Sequence, residues 1–536
     1  MSTYSSPEKS FMEFLQVHLP SALPEFLLQQ RWFGGKARAI QSVQVSDIVP
    51  FDSLSSYLIL AKIDYAEGSA ETYAIPLIRA PRETEPPVLA IQSKNGTEEI
   101  FLKNALIDER FLTRLLDAIA KNVSLPGTKG QIRSISTSAL PALWQPSQGP
   151  LKPSIMRAEQ SNSSVAYENR LVLKLFRRVA EGLNPDLEIG SFLTEKTSFR
   201  NVPPLAGYIE YWSETGARTS LGILQGYVAN QGDAWQLTLK ALADYYGKAL
   251  QRPSLGADEM PSVPLLSLCQ NAIPDKARQR IGTYLDSAAL LGRRTAELHL
   301  ALASATEDPN FTPEPFSEAD RQGFVNSAGQ LLTANFDLLR RVKEEMPDHA
   351  RNEAERVLKL EETARCRVQL SAGLKSSAMV TRIHGDYHLG QVLFTGSDFV
   401  IIDFEGEPAR PLAERRKKRS PLQDVAGMLR SFHYAAYAPL LQDDGRNPSP
   451  EEMQMLGTWA QYWQKWVSAT FLKTYLEVAG NAIFIPRGRE DLALLLDAYL
   501  LDKAVYELGY ELNNRPTWVR IPVDGISQLL HPDPQL

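Results

Sequence analysis

The stretch Ile383-His384-Gly385-Asp386-Tyr387-His388-Leu389-Gly390-Gln391-Val392-Leu393, followed by Val400-Ile401-Ile402-Asp403-Phe404-Glu405, decides how this chain is read. Gly385 sets a turn that carries Asp386, the amide of Gln391 comes five residues later, and Asp403 ends the next apolar run. Phosphoryl transfer asks little covalent chemistry of a protein, so a site for it mainly positions groups and neutralises charge. One carboxylate must orient the acceptor hydroxyl and take its proton, which suits Asp386. Hard oxygen donors must hold Mg2+ beside the phosphates, which suits Gln391 and Asp403. A lone His-Gly-Asp reads as well as a helix cap or a buried turn network. The ordered acid, amide and acid favour the catalytic reading.

Further upstream, Glu159-Gln160-Ser161-Asn162-Ser163-Ser164 is a polar, small-residue loop between strand signals. It is able to offer N–H and hydroxyl groups to phosphate oxygens, though it has neither a GxGxxG pattern nor a Walker lysine. Lys174 follows inside the apolar run Leu171–Phe176, where a lysine must find an anionic partner or snorkel outward. By itself it reads as an edge-strand lysine; with the downstream carboxylates it reads better as a phosphate-binding one. Asn184-Pro185-Asp186-Leu187-Glu188 then opens a helix, with Pro185 near its first turn. Glu188 is well placed to fix Lys174 by an ion pair. Asp186 competes with it, or is simply favourable charge at a helix start.

At 536 residues the chain exceeds what one hydrophobic core usually serves. Residues 1–125 read as a small α+β domain: a helical pattern from Phe11 to Gln30, strands at Ser56–Asp64 and Glu71–Leu77, and a helical pattern from Ala105 to Ala120. The Pro- and Gly-rich segment Ser124–Pro153 joins two units or forms irregular edges of one. Strand signals resume at Ser154–Ala158 and Arg170–Phe176. From about Trp235 the pattern is helical, save for a strand-like pair at Gln391–Phe394 and Phe399–Ile402. A β-rich lobe (126–230) followed by a large helical lobe (231–536) is the expectation.

A net charge of −6 argues against nonspecific nucleic-acid binding. Two cysteines, Cys269 and Cys366, make no disulfide framework or zinc site. With neither a signal-peptide pattern nor a membrane-spanning apolar run, a cytoplasmic protein is expected.

Smaller signals have competing readings. The basic run Arg415-Arg416-Lys417-Lys418-Arg419 reads as a solvated loop, or as local attraction for a nucleotide. Trp459, Trp463 and Trp466 recur at helical spacing and read as core. Lys503, Tyr506, Glu507 and Tyr510 fall on one helical face, with the aromatic bodies and polar tips that a disaccharide needs. A surface helix with a Lys503–Glu507 ion pair is the alternative.

Together these stretches resemble the maltokinase family, whose fold is related to aminoglycoside phosphotransferases and other eukaryotic-like kinases. The resemblance also takes in Arg31-Trp32-Phe33-Gly34-Gly35-Lys36, Leu291–His299, Asp403–Leu412 and Leu508–Pro516. The Asp386 and Asp403 motifs are shared by many small-molecule kinases; Tyr387–Gln391 and Phe404–Pro408 are narrower and point to maltokinase. The resemblance implies an α+β, bilobal kinase-like fold behind an N-terminal cap domain. It implies ATP and Mg2+ as cofactors, Asp386 as catalytic base, Gln391 and Asp403 as metal ligands, and maltose 1-phosphate as product. Ser161, Asn162, Ser163, Lys174 and Glu188 are then expected at the nucleotide, with Gln225, Tyr227 and Val228 meeting adenine at the connection between lobes. His384, Glu405, Arg410, Lys503, Tyr506, Glu507 and Tyr510 are the expected sugar contacts, although Glu405 instead holds the loop in a second reading. Asp424 reads as serving a helix start, and in kinase-like folds an acid at its place bonds the catalytic-loop backbone. Two departures stand out: Gln391 where Asn is usual, and Glu405 for the Gly of an Asp-Phe-Gly triplet. The alternatives are a kinase of another sugar such as glucosamine, and a weakly active binding module partnering a trehalose-handling enzyme. Retention of Lys174, Asp386 and Asp403 argues against the second.

Overall fold

The computed structural model describes residues 6–51, 55–81, 88–92, 99–156, 161–251, 255–256, 259–346, 348–373, 378–441 and 449–530. The chain divides into two compact units, Met1–Ala229 and Asn230–Leu536. The fold is kinase-like, strand-rich toward the N-terminus and helical toward the C-terminus.

In the first unit, β1 (Ile40–Pro50), β2 (Ser56–Tyr65), β3 (Ala70–Ala80), β4 (Leu89–Gln92) and β5 (Glu99–Asn104) form an antiparallel sheet of order β1-β2-β3-β5-β4. Successive strand side chains point to opposite faces. Tyr57, Ile59, Ala61 and Ile63 therefore pack in one core with Leu15, Leu19, Leu23 and Phe26 of the helix Ser6–Leu28. Leu58 and Leu60 pack in the other, with Phe111 and Leu115 of the helix Glu109–Ala120. Both faces are covered, which is why β2 reads as a nearly unbroken apolar run. Asp108 starts the second helix by accepting from Arg110 N and Phe111 N.

A second antiparallel sheet holds β6 (Ser124–Pro126), β7 (Gly130–Ser136), β8 (Pro153–Met156), β9 (Asn162–Tyr167), β10 (Leu171–Phe176), β12 (Leu205–Ser213) and β13 (Arg218–Gly226). Its order is β6-β7-β12-β13-β10-β9-β8. The Pro/Gly-rich stretch thus carries two true strands of this sheet. Arg157 and Ala158, expected to extend β8, lie outside the described residues, as do Glu159 and Gln160. Between β10 and β12, the two-residue β11 (Arg178–Val179) crosses over to pair with β3 of the first sheet. Asp47, fully buried on β1, accepts from Thr128 N, Lys129 N and the Tyr211 hydroxyl at 2.7, 3.1 and 2.7 Å. The two sheets are thereby tied at both ends.

The second unit is helical. Tyr284–Leu302, Leu422–Leu441 and Pro450–Ala479 enclose Trp459, Trp463 and Trp466, all buried as a core stripe. Arg489–Asn514 packs on Glu318–Val342 and Arg520–Leu530 through Leu501, Val505, Leu508, Leu332, Phe336 and Ile526. The expected strand pair is the hairpin Val392–Phe394/Phe399–Ile401. Among the described residues no helix is long and apolar enough to cross a membrane.

Candidate active site

In the second unit, the loop carrying Asp386 hangs from one buried acid. Asp424, near the start of Leu422–Leu441, accepts from His384 N at 2.8 Å and Gly385 N at 2.9 Å. His299 Nε2 lies 3.1 Å from the same carboxylate, and His299 Nδ1 lies 2.9 Å from the Tyr475 hydroxyl. A tyrosine hydroxyl donating to Nδ1 leaves the proton on Nε2, directed at Asp424. Burial by itself raises the Asp424 pKa; His299, His384 and the Gly385 N–H outweigh it and hold the carboxyl below its ordinary value. The role expected of Asp424 is the one its geometry has.

Three residues with positive φ shape the rest. Gly385 (86°) and Gly406 (70°) approach so closely that a Cβ on Gly385 meets the Gly406 Cα at 3.3 Å. Asp403, at φ 66°, sits in the left-handed region as a non-glycine residue, a strain that Asp tolerates better than most. Gln391 Nε2 lies 2.9 Å from Asp403 Oδ2, so the amide and the carboxylate converge on one point. One carboxylate oxygen and one carboxamide oxygen are hard donors of the kind Mg2+ takes while keeping water and phosphate ligands. The pair fits such an ion once the amide turns its oxygen inward.

Beside Asp386 opens a cleft of about 510 Å3 counted to its mouth. Its polar lining includes Asp386, Glu407, Arg410, Gln423, Asp502, Lys503 and Tyr506. Lys503 Nζ lies 3.4 Å from Asp386 Oδ1 and 4.0 Å from Glu407 Oε2, and the Tyr506 hydroxyl donates to Glu407 Oε1 at 2.9 Å. Burial disfavours the Lys503 ammonium, but Asp386, Glu407 and Glu507 outweigh it and raise its pKa. Burial raises the Asp502 carboxyl against the pull of Arg410, Lys503 and Arg419.

The structure therefore brings Asp386, Arg410, Lys503 and Tyr506 together and removes others from the expected sugar set. His384 is 1% exposed, with Nε2 on the Ile402 carbonyl at 2.9 Å and Nδ1 facing the Asp386 N–H at 3.4 Å, so it props the loop. Glu507 turns away from the cleft to accept twice from the buried Arg430, at 2.9 and 2.7 Å. Tyr510 is 47% exposed with Arg515 over its ring. Glu405 stands outside the cleft lining, and its carbonyl accepts from Arg415 Nη1 at 3.0 Å. The stripe of this helix that lines the cleft is Tyr499, Asp502, Lys503 and Tyr506, about one turn nearer its N-terminus. Asp502, not among the expected contacts, also lines the cleft; its signal in the sequence is an acid three residues after Tyr499 and four before Tyr506. Most of the basic run is tied in: Arg415 holds Glu405, Lys418 binds the Pro309 carbonyl and Arg419 pairs with Glu414, while Lys417 is exposed.

In the first unit, Lys174 is buried and its Nζ lies 2.9 Å from Asp186 Oδ2. Asp186, the competitor in the sequence, makes this ion pair, and Glu188 is buried one half-turn on. The register pairs Lys174 with Ser164, Leu175 with Ser163 and Phe176 with Asn162. Ser163 thus points to the face away from Lys174, where its hydroxyl accepts from Arg177 Nε at 2.8 Å. That corrects its expected contact with phosphate through the hydroxyl. Ser161 is exposed and Asn162 half-buried at the start of β9. Gln225, Tyr227 and Val228 are half-buried where β13 runs out toward the unit boundary, with Tyr227 N donating to the Arg170 carbonyl at 2.8 Å.

Residues 26–102 match the family model of the maltokinase N-terminal cap domain, and residues 277–456 match that of the phosphotransferase enzyme family. This bears out the resemblance read from the motifs. A glucosamine kinase of Mycolicibacterium smegmatis is 23% identical over 376 residues, 69% of this chain and 78% of the relative. One of Streptacidiphilus jiangxiensis is 24% identical over 148 residues, 28% of this chain and 31% of the relative. Among solved structures, a glucosamine kinase in complex with glucosamine, ADP and inorganic phosphate superposes with a TM-score of 0.61 at 16% identity, covering 97% of this chain and 99% of that one. A second crystal form of a glucosamine kinase gives 0.64 at the same identity and coverage.

Proposed function

From a maltokinase-type cap followed by a phosphotransferase-family domain, we propose that this chain transfers the γ-phosphoryl group of ATP to a sugar hydroxyl, with maltose as acceptor. In this reading residues 1–125 are the cap, 126–230 the nucleotide-binding lobe and 231–536 the helical lobe that holds the sugar. The observation that carries it is the cleft beside Asp386. Carboxylates, cations and the tyrosines Tyr499 and Tyr506 line it, matching the hydroxyls and apolar ring faces of a sugar. Asp386 orients the acceptor hydroxyl and takes its proton. Lys503, 3.4 Å away, holds the Asp386 carboxylate in place beside the cleft. Lys174, steadied by Asp186, and the backbone at Ser161–Asn162 take phosphate oxygens, while Gln225–Val228 meet adenine. Asp403 and Gln391 would hold Mg2+, which neutralises phosphate charge during transfer.

A second reading, glucosamine as acceptor, is favoured by the names of the relatives and by Asp386, Glu407 and Asp502 around one cleft, which suit an ammonium group. ATP turnover against maltose, glucosamine, glucose and aminoglycosides separates the readings. Maltose giving the highest kcat/KM supports the first and glucosamine the second; no turnover on any sugar refutes both.

A further inference from the structure

Arg177 stands at the bend where the chain leaves β10 of the second sheet for β11 of the first, and the proposed reaction makes no use of it. It is 1% exposed, and burial pushes its pKa down to about 9. Its partners among the described residues are neutral. Nε donates to Ser163 Oγ at 2.8 Å, Nη2 lies 3.4 Å from Asn104 Oδ1, and the guanidinium lies 4.6 Å from the Trp32 ring centre. Nη1 has no acceptor among the described residues. Its own carbonyl accepts from Ala74 N on β3 at 2.8 Å. Trp32 belongs to the Arg31–Lys36 motif, which the reaction also leaves unexplained. A buried cation held only by neutral groups is costly, and an apolar side chain of that volume fills such a hole at least as well. What the arginine adds is a connection between the cap turn and β9.

We propose that Arg177 is a positioning residue through which the cap, by way of Trp32 and β3, holds Ser163 and so sets the start of β9 for nucleotide binding. This rests on the reading that Ser161–Asn162 and Lys174 take the nucleotide phosphates. The cap is then a brace for the phosphate hairpin as well as a separate fold.

The test measures ATP affinity by titration, KM for ATP and for the sugar, and thermal melting, on the full chain. Arg177→Met should weaken ATP binding about tenfold, the loss of a charge-assisted bond, while KM for the sugar and the melting temperature hold or the latter rises. Arg177→Lys, whose ammonium still donates to Ser163, should recover part of the affinity. Ser163→Ala, a mild change at a half-buried hydroxyl, should weaken ATP binding likewise, and adding it to Arg177→Met should cost nothing more. Lys174→Met tests the premise alone. Should it leave ATP binding intact, the nucleotide reading falls and the brace with it. Should it abolish binding while Arg177→Met and Ser163→Ala bind ATP normally, the brace alone is wrong. A lowered melting temperature with normal ATP affinity makes Arg177 a structural residue only and also overturns the proposal.

Discussion

Replacing Asp424 by asparagine should stall the chemistry through the loop it holds. Three donors converge on this carboxylate: His384 N and His299 Nε2 on one oxygen, Gly385 N on the other. An asparagine that keeps its oxygen toward Gly385 presents an NH2 group to the other two. His299 can adapt by moving its proton to Nδ1 and donating to the Tyr475 oxygen. The His384 peptide N–H has no such freedom and is left buried and unpaired, at about 1–3 kcal/mol. The surviving bonds lose their ionic share, roughly 1 kcal/mol more. Asp386 lies one residue beyond Gly385, so the loop shift reaches the base directly, and a displacement near 1 Å costs on the order of 10²-fold in rate. Initial rates at saturating ATP and thermal melting read both effects. The pH dependence adds a signature. Because the folded Asp424 pKa is depressed, its stabilisation is fully present above the unfolded value of about 4 and is lost as pH falls through the lower folded one. Asp424→Asn should lack that acid slope. An asparagine variant with wild-type turnover and an unchanged melting curve would refute the reasoning.

Asp386→Asn should lower kcat by about 10²–10⁴-fold with ATP affinity within a small factor, since only the hydroxyl's proton acceptor is lost; near-normal kcat removes Asp386 from the mechanism. Asp403→Ala should abolish Mg2+-dependent nucleotide binding, checked by titrating Mg2+ against nucleotide affinity, and an unchanged titration places the metal elsewhere. Tyr506→Phe frees Glu407 and should raise the sugar KM several-fold, roughly 1 kcal/mol, with KM for ATP unchanged. Glu507→Gln, by contrast, should lower the melting temperature through Arg430 and spare the sugar KM; the opposite pattern means that the helix faces the other way.

The local grammar of the site was legible because its spacing is short. Gly385, Asp386, Gln391 and Asp403 lie within one loop and one hairpin, so chain connectivity alone keeps them near one another. The apolar alternation of β2 and β3, and the tryptophan stripe, declared their elements for the same reason: period follows from local backbone geometry. What the sequence left open were choices between neighbours that only packing makes. Asp186 and Glu188 sit half a turn apart, and the position of β10 against the helix brings the Asp186 carboxylate onto Lys174. On the helix Arg489–Asn514 Glu507 lies only about 40° around from Lys503, and it is the buried Arg430 that turns the former away from the cleft. Ser163 and Ser164 are adjacent in sequence yet face opposite sides of a strand, so register alone gives one to Arg177 and the other to the Lys174 face. Sequence by itself determined which residue types stand near the chemistry. Tertiary structure decided which face each one shows, because a side chain's direction depends on partners brought from elsewhere in the chain.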